Sequence, residues 1–454
     1  MNGMRPQRTS GTKAPGLASS SAMFMASQLA ANAGYFIAVL LLAHWLTQAE
    51  RGTVAFGTIS ILMLSRLVRL GIPEAAVVIA AAQPAARRTL LTNQVTFAVA
   101  GSTLIAISVV GSFVLSGLHP AAATTTFMVV IGVGTVVNAI HESVTAFLTG
   151  CARFRLVTSL SLIQPWGWVL GLIAVRGLSS MDATAVVFLW TLPLAAAGTV
   201  AVFEAMRGTG LAVPDRAAFR EEIRFGFPAW VGGMSTFVNY RFDQVLMGFI
   251  STRAQLGIYA VGVNASEVLL YLGNAIGSAL TPVAARDGAA VAGGRTLRVF
   301  RVVTLITLAT TLLAVTTGPL LLPLVFGEQY RPSIGPFVVL AIGAIGWTAS
   351  VVLSSSLLGV GASKLSSVGS VMALVATVFL DVLLIPRYGA MGAAIATSCG
   401  FFSAGAAAII GFERRFRFSP REYLPRIDDL RTIQALAAST FAAVRRRRLL
   451  PPTA

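Results

Sequence analysis

The stretch SIGPFVVLAIGAIGWTASVVLSSSLLGV (333–360) contains no charged residue. A helix of this length, rising 1.5 Å per residue, spans the roughly 30 Å hydrocarbon core of a bilayer. Hydrocarbon offers no partner for a backbone amide, so such a segment must pair its own N–H and C=O groups as a helix. Short alternating strands, which a transmembrane barrel would need, are absent. Similar apolar windows recur along the chain near 22–45, 53–81, 91–117, 122–149, 155–176, 183–206, 227–250, 257–283, 299–325, 364–386 and 389–412. With the first stretch they make an all-α polytopic membrane protein of about twelve transmembrane helices.

Composition agrees. Of 454 residues, 56% are hydrophobic and 11% charged, with a mean hydropathy of +0.79, whereas a soluble domain carries about a quarter charged residues. The net charge of +17 does not signal nucleic acid, because the arginines sit in short interhelical loops and at the termini. Cys151 and Cys399 lie in or beside apolar segments without CxxC spacing and read as small packing residues. The stretch 22–45 is too long for a signal-peptide core, so it is expected to remain as the first membrane helix.

Arg and Lys placement orients the chain. With the N-terminus in the cytoplasm, Arg87, Arg88, Arg153, Arg155, Arg216, Arg220, Arg224, Arg286, Arg295, Arg298, Lys364 and the tail fall on the inner side. Arg51, Arg176, Arg253, Arg331 and Arg387 fall on the outer side. The balance, roughly 26 to 5, is a strong positive-inside bias. The expected organisation is a cytoplasmic segment (1–19), a six-helix lobe (20–207), a cytoplasmic linker (208–226), a second six-helix lobe (227–413) and a basic cytoplasmic tail (414–454). The tail, which ends in Arg445 to Arg448, reads as a solvated segment held near anionic membrane lipids, with docking to a partner as the alternative.

The two lobes echo each other. TQAERGTVAFG (47–57) and TRAQLGIYAVG (252–262) match at Thr47/Thr252, Ala49/Ala254, Gly52/Gly257, Ala55/Ala260 and Gly57/Gly262. LTGCARFRL (148–156) and LLGVGASKL (357–365) match at Leu148/Leu357, Gly150/Gly359, Arg155/Lys364 and Leu156/Leu365. Two halves of six helices share one orientation, so the repeat is read as parallel, about an axis along the membrane normal.

An ionisable residue in mid-membrane costs roughly 2.5–3.5 kcal/mol and is therefore a functional candidate. The candidates are Arg66 and Arg69 in the second span, His141 and Glu142 in the fourth, Arg241 and Asp243 in the seventh, and Glu267 in the eighth. Asn264, Glu267, Tyr271, Asn274 and Ser278 fall within an arc of roughly 80° on one helix face. Asn138, His141, Glu142 and Thr145 make a similar stripe, as do Gln28, Asn32 and Tyr35. These stripes either face a wet cavity or hold helices together by hydrogen bonds. Arg241 and Asp243, two residues apart, cannot pair along one face. Glu74 and Asp381 lie near span ends and read as interfacial.

The run NYRFDQVLMGFISTRAQLGIYAVGVNASEVLLYLGNAIGSALTPVAAR (239–286), with VFGEQYRPSIGPFVVLAIG (325–343) and LLIPRYGAMGAAIAT (383–397), resembles the polysaccharide-biosynthesis oligosaccharide flippases. These belong to the multidrug/oligosaccharidyl-lipid/polysaccharide exporter superfamily. The resemblance covers nearly the whole chain and is clearest over 20–82 and 225–415. Asp381 departs from the family pattern, which has Asn at that position. The resemblance implies a V-shaped pair of lobes whose central cavity alternates between the two sides of the membrane. The implied cargo is a polyprenyl-diphosphate-linked oligosaccharide, and other polysaccharide-assembly proteins are implied as partners. Arg66, Arg69 and Arg241 would meet the diphosphate, since guanidinium forks suit phosphate. Asp243, His141, Glu142, Asn264, Glu267 and Tyr271 complete the expected substrate-binding set. A multidrug antiporter of the same superfamily is the main alternative. The lipid-linked peptidoglycan-precursor flippases usually have two extra helices, and the outer loops here are too short for a membrane glycosyltransferase or polymerase. No GxxxxGK[ST] loop and no metal-spaced His or Cys set occur, so neither cofactor nor enzymatic activity is expected.

Overall fold

The apolar windows become helices. The computed structural model describes residues 17–116, 124–176, 182–426, 428–429 and 431. The basic residues Arg5, Arg8 and Lys13, and the run Arg445 to Arg448, lie outside them. The helices are α1 (Leu17–Trp45), α2 (Gln48–Val68), α3 (Ile72–Ala82), α4 (Arg87–Ser116), α5 (Thr125–Gly150), α6 (Phe154–Arg176), α7 (Ala183–Thr209), α8 (Arg216–Ile250), α9 (Arg253–Phe326), α10 (Ile334–Gly359) and α11 (Ser363–Phe416). The side chains of Thr124, Asp182 and Thr252 accept the backbone N–H three residues on and cap α5, α7 and α9, each cap worth about 1 kcal/mol.

Nine of the described helices are long and apolar enough to cross a membrane. The more polar α8 is not among them. α9 has 74 residues, about 110 Å if straight, so it has length for two crossings; its helical path breaks at Gly288, φ 65°. α11, with 54 residues, breaks likewise at Gly389, φ 55°. The expected second span, 53–81, is not one helix. α2 stops at Val68, and Leu70 (φ 47°) and Gly71 (φ 89°) take left-handed conformations before α3. Pro73, in the first turn of α3, has no N–H to return to the carbonyl of residue 69, so the α2 ladder cannot run through it.

The chain forms two compact units. The first holds α1 to residue 41, α2 from 64, α3 to α7, and α8 to 231. Its core includes Leu91, Phe147, Leu148 and Leu160. The second holds residues 42–63, α8 from 232, α9 to α11 and the described tail, around Phe300, Leu353, Leu357 and Phe412.

In the first unit, the expected linker is largely helical. Its residues 216–226 open α8 and dock on the start of α4. Asn93 holds the backbone of Asp215 from both sides, donating to its carbonyl at 3.2 Å and accepting from its N–H at 3.1 Å. Asn93 and Gln94 also donate to the Glu222 carboxylate at 2.9 and 3.4 Å. Glu222 is buried, and burial pushes its carboxyl up to about 7, helped by the neighbouring Glu221 charge and opposed by the two amide hydrogen bonds. Gly71 and Gly226 touch through their backbones: a Cβ on Gly226 would stand 1.7 Å from the Gly71 carbonyl oxygen.

In the second unit, the tip of the α1–α2 hairpin packs on the start of α9. A Cβ on Gly52 would sit 1.9 Å from the Arg253 carbonyl oxygen, and one on Gly257 would sit 1.9 Å from that of Gln48. Gly52 matches Gly257 in the repeat, and Gln48 matches Arg253 at the same offset. The contact is therefore reciprocal, as a two-fold relation between the segments requires. Gln329 braces the tip by donating to the carbonyls of Ala43 and Leu46 at 2.7 and 3.2 Å.

The described start of the tail, expected as a solvated segment, is mostly exposed but is tied to the second unit at a few points. α11 continues to Phe416, and the rings of Phe412, Phe416, Phe418 and Tyr423 cluster. Beyond them Asp429 is buried and accepts from Arg301 Nε at 2.9 Å. Arg301 Nη1 also donates to the Glu422 carbonyl at 3.0 Å. The charge of Asp429 is thus spent on α9 rather than on solvent.

Two outcomes are expected. Gly52→Ala and Gly257→Ala each force backbones apart and should cost about 1–3 kcal/mol, read as a lower melting temperature of the purified protein. Gly232→Ala, in α8 with nothing near its Cβ position, should be neutral or slightly stabilising; equal losses at all three positions would deny the crossing. The second concerns Glu222. A carboxyl raised to about 7 in the fold adds stability that is complete below its ordinary range and is lost as pH rises through 7. Melting temperature should therefore fall between about pH 5 and pH 8, and Glu222→Gln should flatten that slope.

Candidate functional site

Five of the charged residues expected inside the membrane are gathered into two places, Arg66, Arg69 and Glu142 in the first unit and Arg241 and Glu267 in the second. In the first unit the end of α2 brings Arg66 and Arg69, one turn apart, to a cavity of about 410 Å3 shared with Glu74 of α3 and Glu142, Thr145 and Thr149 of α5. Arg69 Nη1 forms an ion pair with Glu142 Oε2, the two side chains being 11% and 24% exposed. The Arg66 carbonyl accepts the Trp230 indole N–H at 2.8 Å. Arg69 Nε and one Glu74 carboxylate oxygen are buried and make no hydrogen bond among the described residues. Two guanidiniums thus face two carboxylates, and the cavity is closer to neutral than a bare arginine cluster. Glu74, read from sequence as interfacial, belongs with the arginines.

The other members of the α5 stripe turn elsewhere. Asn138 donates to Ser65 Oγ at 2.6 Å, which ties α5 to α2. The His141 backbone and Cβ lie against Gly198 of α7, and His141 does not line the arginine cavity. On α1, the Tyr35 hydroxyl donates to Gln164 Oε1 of α6.

In the second unit Arg241 of α8 pairs with Glu267 of α9 at 2.6 Å, the side chains 24% and 21% exposed. Asp243 faces another neighbour, as its two-residue offset requires. Its carboxylate accepts from Gln244 N at 2.7 Å, from Thr397 Oγ1 at 3.0 Å and from the Tyr259 hydroxyl. Asp381 is buried close enough to Asp243 for their charges to interact. Neither Asp381 oxygen has a hydrogen-bond partner among the described residues. The interfacial reading of Asp381 fails: about two further turns of α11 precede its break at Gly389, and the side chain has no exposed surface to snorkel from. Tyr259 and Thr397 were missed because each sits in an apolar run. Asn264 is partly buried, and Tyr271, 53% exposed, lies near enough to the Arg241–Glu267 pair to feel both charges.

Both arginine pairs are more than three-quarters withdrawn from solvent, so removing one partner leaves a charge without compensation. Arg69→Gln and Arg241→Gln should each lower the melting temperature, and adding Glu142→Gln or Glu267→Gln respectively should recover much of the loss. A double-mutant cycle should give coupling of about 0.5–3 kcal/mol. Simple additivity of the single losses would mean that the pairs do not hold each other.

A family model described as polysaccharide biosynthesis protein matches residues 41–335. No curated protein matches the sequence. Among solved structures, the lipid II flippase MurJ in an inward closed conformation superposes with a TM-score of 0.69 at 11% identity, covering 95% of this chain and 100% of its own. An inward-facing multidrug resistance MATE family transporter of the MOP superfamily gives 0.66 at 13% identity, covering 84% and 93%. A eukaryotic MATE transporter gives 0.54 at 12% identity, covering 88% and 97%. At these identities the structural matches speak for the fold, and the sequence match carries the family. The paired charges are thus set in a MurJ- and MATE-like helical frame, and the chain belongs to the polysaccharide biosynthesis protein family.

Proposed function

We propose that this multi-pass membrane protein is a flippase that moves a polyprenyl-diphosphate-linked oligosaccharide across the plasma membrane by alternating access. In this reading the chain crosses twelve times, as two parallel six-helix repeats, with both termini in the cytoplasm. The observation that carries it is the pair of sites Arg66/Arg69–Glu142 and Arg241–Glu267, held within helices of a polysaccharide-biosynthesis family member. A guanidinium kept by a carboxylate is already desolvated and already aimed. A diphosphate that displaces the carboxylate exchanges one charge-assisted hydrogen bond for another, instead of stripping water from a free arginine. The pairing also keeps the empty site near neutral, which limits the cost of holding arginine in the membrane. Asp243 and Asp381, buried together, offer a seat for a coupling proton or small cation.

The MATE-like fold and those buried carboxylates favour a second reading, an ion-coupled multidrug antiporter. Cargo charge separates the two. A cationic drug gains when a cavity arginine is removed, whereas a diphosphate loses.

Glycan export is measured in a strain lacking this gene and complemented with variants whose membrane abundance is matched. Arg69→Lys and Arg241→Lys should keep part of the activity. Arg66→Gln and the paired neutral variants Arg69→Gln/Glu142→Gln and Arg241→Gln/Glu267→Gln should lose roughly ten- to hundredfold, the loss expected from removing a charge-assisted hydrogen bond of about 1.5–3 kcal/mol. Full export from all three neutral variants would sink the diphosphate assignment, and drug sensitivity without a glycan defect in the deletion strain would favour the antiporter.

A further inference from the structure

The second unit holds another cavity, of about 510 Å3, open on one side and bordered by α8, α9, α10 and α11. That size falls within the roughly 300–1,000 Å3 of small-ligand sites. Among the described residues no Asp, Glu, Lys, Arg or His lines it; ten of its sixteen lining residues are Ser, Thr or Asn, with Tyr240 and Trp347 as its aromatic members.

The aromatic pair is fixed. The rings of Tyr240 and Trp347 stand 4.7 Å apart at 65°, and Phe401 backs Trp347 at 5.0 Å. Asn274 ties them together: its Oδ1 accepts the Trp347 indole N–H at 3.1 Å, and its Nδ2 donates to the Tyr240 hydroxyl at 3.3 Å. Tryptophan and tyrosine in membrane proteins usually gather at the water interface, yet Trp347 lies midway along α10. Serines on membrane helices usually serve close packing. Ser354 and Ser355 instead border open space, and neither hydroxyl makes a hydrogen bond among the described residues.

These properties select a ligand class. A lipid tail prefers apolar walls, a phosphate needs cations, and a cationic drug needs a carboxylate or an open aromatic cage. A neutral sugar ring presents an apolar C–H face and a rim of hydroxyls. It is matched by an aromatic face beside side chains that both donate and accept, as each serine hydroxyl does. Position supports the match. Asn274 lies seven residues beyond Glu267 on α9, about 10 Å along the helix and on the same face, so the cavity continues the line that starts at Arg241–Glu267.

We propose that this cavity is a saccharide subsite, which receives uncharged sugar residues of the cargo while Arg241 meets its phosphate. The assignment rests on the lipid-linked oligosaccharide reading above.

The test uses the full chain in lipid nanodiscs, incubated with the total polyprenyl-diphosphate lipids extracted from the source cells. Mass spectrometry of the retained lipids then gives the ratio of glycan-bearing to bare polyprenyl diphosphate. The wild type should enrich the glycan-bearing form over its share in the extract. Ser354→Leu and Ser355→Leu, which fill the cavity, should reduce that enrichment about tenfold while bare polyprenyl diphosphate is retained as before. Trp347→Phe, which keeps a ring and removes one N–H, should reduce it about threefold, and it decides the matter if the leucine variants do not fold. Unchanged enrichment in the folded variants, or none in the wild type, overturns the subsite. Retention of no polyprenyl diphosphate of either kind by the wild type instead overturns the flippase reading, and the subsite with it.

Discussion

A guanidinium taken into a helical membrane protein must bring its counter-charge, and much of this molecule is arranged around that demand. Arg69 has Glu142, Arg241 has Glu267 and Arg301 has Asp429. Each pair joins different helices or a helix and the tail, so each also fixes a packing relation that apolar surfaces alone leave open. In lipid, one apolar face is nearly as good a neighbour as another, and small residues and polar contacts decide which helices meet. The two glycine crossings serve the same end by steric means. They admit backbones to a distance that any side chain would forbid.

The pairs differ in what they leave available. Arg301 and Asp429 are 10% and 4% exposed and are held by further backbone hydrogen bonds, which is the pattern of a structural tie. Arg69–Glu142 borders a cavity, and Arg241–Glu267 keeps about a fifth of each side chain exposed. A ligand can reach those two without unfolding anything. Accessibility, more than the presence of charge, separates the candidate site from the scaffold.

The sequence made the membrane class and most helix positions legible, because twenty apolar residues have few alternatives in water or lipid. Breaks inside apolar runs were less legible. Nothing in the hydropathy of 53–81 marks Leu70 as left-handed, although Gly71 and Pro73 are adequate signals in retrospect. The arginines, Glu142 and Glu267 were all found by their cost in lipid, but not which would pair with which, since the partners lie far apart along the chain. Asp381 was misplaced for a related reason: distance from a predicted span end says little about burial when the helix bends at Gly389. The neutral cavity left only one trace in sequence, the Asn274 and Ser278 stripe, because serine and tryptophan carry no cost conspicuous enough to demand explanation.

The tie between Arg301 and Asp429 also has a meaning in time. The two residues are 128 positions apart, and a ribosome adding about 5–20 residues per second separates their synthesis by roughly ten seconds. During that interval α10 and α11 are made and inserted while the guanidinium on α9 still lacks its carboxylate. The last helices of the second unit are therefore assembled around an open charge. The seal comes from a residue beyond α11, so a chain interrupted at the end of that helix would hold α9, α10 and α11 and yet be unfinished.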